Sequence, residues 1–318
     1  MYAPTRHYGY DNMKGILVFL VVFGHFLELC PATLQKNILY LVIYSFHMPA
    51  FLFFSGFFAK YHPRRMGQLA ILYGIFQLLY RLFAHFALQS GSALEPGGLL
   101  FTPYWLLWYI PVLLNCQLLL PLWTRRGPRQ KIGLLALSIC IALLCGYCKQ
   151  IGYALSLSRF LVFLPFFLLG NLAGTHRTQI ASSNRKFLLF LAVLVSISSL
   201  YLCRSGQFTP QMLYGSYSYA IGYHPGIRLQ AMGIATAWIV FLAALSNTIL
   251  VRPAPILSYI GSHTLPIYLL HGFVVKCIGK YSPSITIPTA LLYSAISVAL
   301  FGNPITSRLF YRLRPCKK

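Results

Sequence analysis

Histidines inside apolar segments are the residues of this chain best suited to acid–base chemistry. His25, His47 and His271 each lie within a long hydrophobic run. Imidazole changes its protonation state near neutral pH and is the side chain most often used as a general base. An ionisable group inside a bilayer costs about 2.5–3.5 kcal/mol on insertion scales, so each histidine needs a reason to be there. His25 is either a general base or a structural histidine that bonds to another helix, and His47 either faces a ligand or has a structural role.

The spacing of Lys14 and His25 gives the sharpest pattern. Eleven residues separate them, which on an α-helix brings them within about 20° of the same face and about 16 Å apart along the axis. Lys14 is then expected at the cytoplasmic edge of a span and His25 near the membrane centre. Asp11 precedes Lys14 by three residues, so a pair between them could fix the orientation of the lysine.

Composition excludes several classes of protein. Of 318 residues, 58% are hydrophobic and only 9% are charged, whereas soluble domains carry about 25% charged residues. The only carboxylates are Asp11, Glu28 and Glu95, too few for paired-carboxylate hydrolases or carboxylate metal clusters. No two histidines have the spacing of a helical zinc motif, and no Gly-rich phosphate-binding loop is present. The chain is therefore expected to be an integral membrane protein without a metal site.

About ten apolar runs are long enough to cross a bilayer as helices. The sequence thus predicts an all-α, polytopic fold that forms one membrane domain over residues 1–318, with no appended soluble domain. The runs lie near residues 13–30, 38–59, 67–89, 104–123, 132–148, 157–173, 187–203, 229–250, 256–278 and 287–305.

The basic residues support this count. The net charge of +23 comes from short clusters between the apolar runs, which indicates membrane topology and not nucleic-acid binding. With the N-terminus inside, 18 of the 26 lysines and arginines fall on inner segments. Both termini are therefore expected in the cytoplasm, with one span of uncertainty near residues 200–230.

Arg159 and Tyr214 are candidates for binding a substrate and not for the chemical step. Arg159 begins an apolar run and is either an anion contact or a cation that reaches the interface. Tyr214 lies in the longest outer connection, residues 204–228, among several aromatic residues. These aromatic residues form either an interfacial belt or a platform for a sugar ring. Pro266 is expected to bend the ninth helix near His271.

Seven motifs follow one another along nearly the whole chain: Asp11–Gly15, Lys14 with His25, Phe46–Pro49, Ser55–Phe58, Trp108–Ile110, Phe163–Gly170 and Leu265–Gly272. In the order and spacing of these motifs, the sequence resembles the acyltransferase family 3 membrane proteins, in particular the fucose 4-O-acetylase-like branch.

The resemblance implies a ten-helix enzyme that transfers an acyl group, usually acetyl, from acyl-CoA to a hydroxyl of a glycan or lipid-linked sugar. It implies that His25 and Lys14 are the central catalytic pair, with Asp11 beside them. Relatives often carry arginine in place of Lys14, and lysine lacks the bidentate phosphate contact of arginine. The resemblance also implies a bacterial cytoplasmic membrane as the location.

The residues agree chemically with this activity. Acyl transfer needs a base and oxyanion donors, but neither a metal nor a permanently bound cofactor. His25 is expected to deprotonate the acceptor or to carry the acyl group. The expected substrate contacts are His47, Trp108, Arg159, Tyr214 and His271.

Arg64 and Arg65 are expected to hold the CoA phosphates, although anionic-lipid contact and topology explain them too. The expected partners are acyl-CoA, the glycan acceptor and membrane lipids. A secondary transporter or flippase for a glycan precursor is the alternative function, because proline-broken helices also suit alternating access. The acceptor sugar, the choice of acetyl or succinyl and the oligomeric state are left open.

Overall fold

A computed structural model gives the structure of the chain, and it is helical. It describes residues 8–90, 101–152, 154–175, 185–252, 254–282 and 284–312; Glu95 lies outside these ranges. Four single turns of 3-10 helix and a one-turn α-helix, Pro210–Leu213, connect the longer elements. The long helices are α1 Tyr8–Leu27, α2 Leu34–Phe57, α3 Pro63–Phe86, α4 Tyr109–Thr124, α5 Pro128–Leu144, α6 Leu157–Thr175, α7 Arg185–Arg204, α8 Pro225–Thr248, α9 Pro255–Ser262, α10 Thr264–Tyr281, α11 Ile287–Phe301 and α12 Pro304–Arg312.

Eight helical segments of the described chain are long and apolar enough to cross a membrane. They coincide with the first eight predicted runs, so the polytopic fold is confirmed, whereas the count of ten spans and the cytoplasmic termini stay predictions. The tenth run forms α11, which is apolar but only 15 residues long. The eight segments are Tyr8–Leu27, Leu34–Phe57, Pro63–Phe86, Trp105–Thr124, Pro128–Tyr147, Ala154–Thr175, Lys186–Arg204 and Pro225–Thr248.

The ninth predicted run is not one continuous helix. It divides at His263, whose backbone (φ −119°, ψ 29°) ends α9 and precedes α10. Pro266 is the third residue of α10, in the first turn, where a helix needs no N–H donor. The expected bend near His271 is therefore wrong: the chain breaks three residues before the proline, and the helix that carries His271 begins after the break.

The chain divides into two compact units, each of which packs mainly against itself. Unit 1 comprises residues 1–51, 176–206 and 233–313, and unit 2 comprises residues 52–175, 207–232 and 314–318. The division falls within α2 and within α8.

In unit 1, α1 is the central helix and packs against α9, α10 and α11. In unit 2, α4 packs against α3 and α6, and α5 packs against α6. The prediction of a single domain stays a prediction.

Close backbone approaches fix the first half of α1. A Cβ atom on Gly261 of α9 would overlap the carbonyl oxygen of Asp11, and one on Gly15 would overlap that of Leu257. Small residues at such points allow membrane helices to approach closely. The glycines therefore hold α9 directly against the part of α1 that carries Asp11 and Lys14.

Candidate active site

Helix α1 carries the three predicted catalytic residues: Asp11 and Lys14 near its start and His25 near its end. Near its start, the ammonium Nζ of Lys14 lies 3.3 Å from the Oδ1 of Asp11, and the two side chains are 31% and 18% exposed. His25 is the third-last residue of the helix, about 16 Å away along the axis. The structure thus brings Asp11 and Lys14 together and places His25 near the end of α1, whereas the sequence analysis put it in the interior of its span. Its depth in the bilayer stays a prediction.

The imidazole of His25 meets that of His271 of α10. The Nδ1 of His25 lies 2.9 Å from the Nε2 of His271, and the ring centroids are 5.1 Å apart with planes only 8° from parallel. The Nδ1 of His271 lies 2.9 Å from the carbonyl oxygen of Ile267. A carbonyl can only accept, so this nitrogen carries a proton and Nε2 of neutral His271 is an acceptor.

The tautomer of His25 follows from this chain of bonds. Its Nδ1 must donate to Nε2 of His271, which leaves the lone pair of neutral His25 on its own Nε2. His271 therefore holds the ring of His25 and selects the tautomer whose Nε2 can accept a proton. This is the relation between an orienting group and a general base.

His47 lies beside this pair and is held differently. Its Nδ1 donates to the carbonyl oxygen of Ile43 at 2.7 Å, and its ring stands edge-on to Tyr44 with centroids 4.8 Å apart. It is buried and interacts electrostatically with His25. All three predicted histidines thus lie in unit 1, in one cluster.

Two charged residues next to the histidines were not predicted as site residues. Glu28 follows the end of α1, and its Oε1 accepts hydrogen bonds from the phenols of Tyr44 at 2.7 Å and Tyr40 at 3.3 Å. Lys276 of α10 interacts electrostatically with both Glu28 and His25. Glu28 could have been found from the sequence, because it is one of only three carboxylate side chains. Nothing local in the sequence connects Lys276 with His25, which is 251 positions earlier.

A buried asparagine ties the start of α1 to the segment before α9. The amide nitrogen of Asn12 donates to the carbonyl oxygens of Leu250 at 2.8 Å and Arg252 at 2.9 Å, and its oxygen accepts from the hydroxyl of Ser258. Asn12 is fully buried, and its amide is satisfied by these three hydrogen bonds. This role of Asn12 was not predicted, although the residue lies in the Asp11–Gly15 motif.

Unit 2 holds the other predicted substrate contacts. The Nε of Arg159 donates to the carbonyl oxygen of Tyr214 at 3.2 Å, and its guanidinium carbon lies 4.6 Å from the ring centroid of Trp108. The three residues predicted from separate segments are therefore neighbours. Their rings and the guanidinium form a partly exposed polar and aromatic surface of the kind that stacks against flat ligands.

A second arginine of unit 2 is fully buried and was not predicted. Arg228 donates to the carbonyl oxygens of Ala142 at 2.8 Å and Tyr217 at 2.9 Å, and to the phenol of Tyr223. The Tyr219 phenol donates to a backbone carbonyl of α5, and burial raises the pKa of Tyr219 to about 12 against the effect of the nearby guanidinium. Arg228 thereby fixes the loop of residues 214–223.

Arg64 and Arg65 are exposed in the first turn of α3, directly after Pro63. No described contact assigns them a ligand, so their role in CoA binding stays a prediction. Across the described ranges, no group of three or more histidine, cysteine, aspartate or glutamate side chains could share a metal ion.

Comparisons with known proteins agree with this chemistry. Residues 7–302 match the family described as an acyltransferase domain. Nodulation protein NolL of Sinorhizobium fredii (strain NBRC 101917 / NGR234) is 31% identical over 127 residues, a match that covers 34% of this chain and 35% of the relative. The chain thus matches about a third of the length of that relative. No solved structure matches the chain.

Proposed function

The chain belongs to this acyltransferase family and is a multi-pass membrane protein, and from that premise we propose a membrane-bound O-acyltransferase. Its donor is acyl-CoA, with acetyl as the acyl group, and its acceptor is a hydroxyl of a cell-surface or lipid-linked glycan. The observation that carries the proposal is the His25–His271 pair. It supplies a base whose orientation and tautomer are both set by a second residue.

The proposed step needs only this base and the two substrates. The Nε2 of His25 takes the proton of the acceptor hydroxyl while the acceptor oxygen forms a bond to the acyl carbon. The thioester C–S bond then breaks, and the proton passes from His25 to the CoA sulfur. General acid–base catalysis of this kind contributes about 10²–10⁴-fold in rate. No metal takes part in this sequence.

The basic residues at the start of α1 and α3 suit the donor. Lys14, Arg64 and Arg65 are partly or fully exposed cations, and CoA carries phosphates that such cations bind. Lys14 acts as a point charge, and Asp11 restrains its position. The donor therefore enters from the end of α1 that is opposite to His25.

The acceptor contacts are proposed on aromatic and guanidinium groups. The Trp108–Arg159–Tyr214 cluster can stack a sugar ring and donate hydrogen bonds to its hydroxyls. His47 is proposed as a further contact beside the base.

The proposed topology has ten crossings, with α10 and α11 as the last two and both termini in the cytoplasm of a bacterium. The basic inner segments support it. Labelling of single cysteines with an impermeant thiol reagent in intact cells tests it: a cysteine in place of Arg126 should stay unlabelled, and one in place of Ser282 should react.

The function is tested by mass spectrometry of surface glycans and lipid-linked sugars from cells that express the chain or its His25→Ala variant at matched membrane levels. We expect the mass increment of one acetyl group with the wild type and its loss with the variant. His62→Ala is the matched control, because His62 is exposed and its side chain makes no capping bond. Glycans of unchanged mass that differ in amount or leaflet would replace the enzyme with the transporter alternative.

A further inference from the structure

The ends of α1 and α10 place Lys276 level with Glu28. His271 pairs with His25, and Gly279 lies against the side chain of Leu29. Lys276 lies between these two contacts along α10, and Glu28, in the turn that follows α1, lies between His25 and Leu29. Lys276 is also three residues from Gly279, about 60° away around the helix, and five residues from His271, about 140° away, so it lies at the edge of the face that meets the end of α1.

The long side chain of Lys276 belongs to the charge environment of the histidine pair. Side chains on an α-helix lean toward its N-terminus, which for Lys276 is the direction of His271. The ammonium interacts electrostatically with both His25 and Glu28. Lys276 is partly buried, whereas Lys280, one turn later, is exposed.

Lys14 cannot take the same part. It is about 16 Å from His25 along α1 and pairs with Asp11 at the opposite end of the helix. In acyl transfer, negative charge develops on the thioester oxygen within a few ångströms of the base. A cation that stabilises this oxygen must therefore come from the end of α1 that carries His25.

We propose that Lys276 stabilises the oxyanion of the acyl-transfer reaction and that Glu28 positions it. The inference rests on the proposed function and assigns a further residue to it. When the acceptor oxygen bonds to the acyl carbon, the carbonyl electron pair moves to oxygen and is held by the Lys276 ammonium. When the C–S bond breaks, this pair returns to the carbonyl and the lysine keeps its proton.

Glu28 has a separate, supporting part. Two phenols, those of Tyr40 and Tyr44, hold its carboxylate. The carboxylate balances the ammonium beside His25, where a proton also arrives during the reaction, and so limits the repulsion between two cations. Glu28 acts through Lys276 and is a positioning residue.

The test measures thiol release from acetyl-CoA by the purified full-length protein in detergent, with an extracted lipid-linked sugar fraction as acceptor. We expect Lys276→Met to lower kcat by about 10²-fold or more, with the KM for acetyl-CoA unchanged, because oxyanion donors act in the transition state. Lys276→Arg keeps the charge and should restore most of kcat. Lys280→Met, the matched control, should leave both constants unchanged.

Glu28 gives a second, independent readout. Glu28→Gln should lower kcat by about 10-fold while Lys276 is present, and it should have little further effect in the Lys276→Met protein, because neighbouring residues that act together are not additive. Equal effects of Glu28→Gln in both backgrounds would overturn the positioning role.

The outcomes separate this inference from the function itself. A Lys276→Met protein with full kcat, or one with raised KM and unchanged kcat, overturns the oxyanion role while the enzyme assignment stands. The second result would make Lys276 a ground-state contact for an anionic substrate. Absence of thiol release by the wild type would instead overturn the proposed function.

Discussion

The polar groups inside unit 1 and unit 2 permit different chemistry. In unit 1, His25 and His271 bond to each other, and Glu28 and Lys276 lie beside them. In unit 2, the guanidiniums of Arg159 and Arg228 donate to backbone carbonyls and lie over aromatic rings. The described residues of unit 2 include no aspartate or glutamate.

The His25–His271 pair of unit 1 can move protons, whereas Arg159 and Arg228 of unit 2 can only hold a charge. Imidazole gains and loses a proton near neutral pH, whereas arginine stays protonated in proteins. Under the proposed function, we therefore assign proton transfer to the His25–His271 pair of unit 1, acceptor contact to Arg159 of unit 2 and a structural role to Arg228. A large loss of turnover from a substitution in unit 2, or a loss of stability alone from a substitution of His25, would contradict this assignment.

The largest expected effect is on turnover, in unit 1. His25→Ala should reduce kcat by about 10²–10⁴-fold, because it removes the general base. Arg159→Ala in unit 2 should mainly raise the KM for the acceptor. Steady-state kinetics of both variants in the thiol-release assay check this, with His62→Ala as the reference for an exposed histidine. A normal kcat for His25→Ala would place the chemistry elsewhere.

The next effect is on stability, in unit 2. Arg228→Met removes a donor to the buried Ala142 carbonyl, to the part-buried Tyr217 carbonyl and to the Tyr223 phenol, which still donates to Tyr217, and each unsatisfied buried group costs about 1–3 kcal/mol. We expect a loss of about 3 kcal/mol in the free energy of unfolding, measured as a lower melting temperature in detergent.

The activity of the Arg228→Met variant shows whether Arg228 has only a structural role. Its kcat per folded molecule should stay near the wild-type value, because Arg228 fixes a loop and contacts no reacting group. A stable but inactive Arg228→Met protein would show that unit 2 takes part in the chemistry. Arg204→Met, at the exposed end of α7, is the control for the loss of one positive charge.

A third effect compares the packing of helices. Gly261→Ala places a Cβ against the Asp11 carbonyl and forces α9 away from α1, and such overpacking costs about 1–3 kcal/mol. Gly133→Ala in α5 has open space around the new methyl and should be neutral or slightly stabilising. Melting temperatures of the two variants check this, and equal values would show that α1 and α9 separate without cost.

Local signals made much of this arrangement predictable. Eight of the ten predicted apolar runs coincide with helices long and apolar enough to cross a membrane, and the three-residue spacing predicted the contact of Asp11 with Lys14. The histidines could also be identified locally, because an ionisable side chain within an apolar run carries an energetic cost. These inferences need only neighbouring residues and the geometry of one helix.

Long-range partners were not predictable from one sequence. The residues of the His25–His271 pair are 246 positions apart, and Lys276 reaches the same place only because α10 runs beside the end of α1. The break at His263 has no glycine or proline at its position, and Pro266 pointed to the wrong site. Packing between helices determines these features, and no local pattern records it.

The smallest expected effect concerns the donor. Arg64→Gln with Arg65→Gln should raise the KM for acyl-CoA by about threefold to tenfold and leave kcat unchanged, because exposed ion pairs contribute only about 0–1 kcal/mol each. The effect should shrink as ionic strength rises, since salt screens exposed charges. Arg125→Gln with Arg126→Gln, a second exposed arginine pair, is the control. An equal KM change in both double variants would show that the basic residues act through general charge and not through a CoA site at the start of α3.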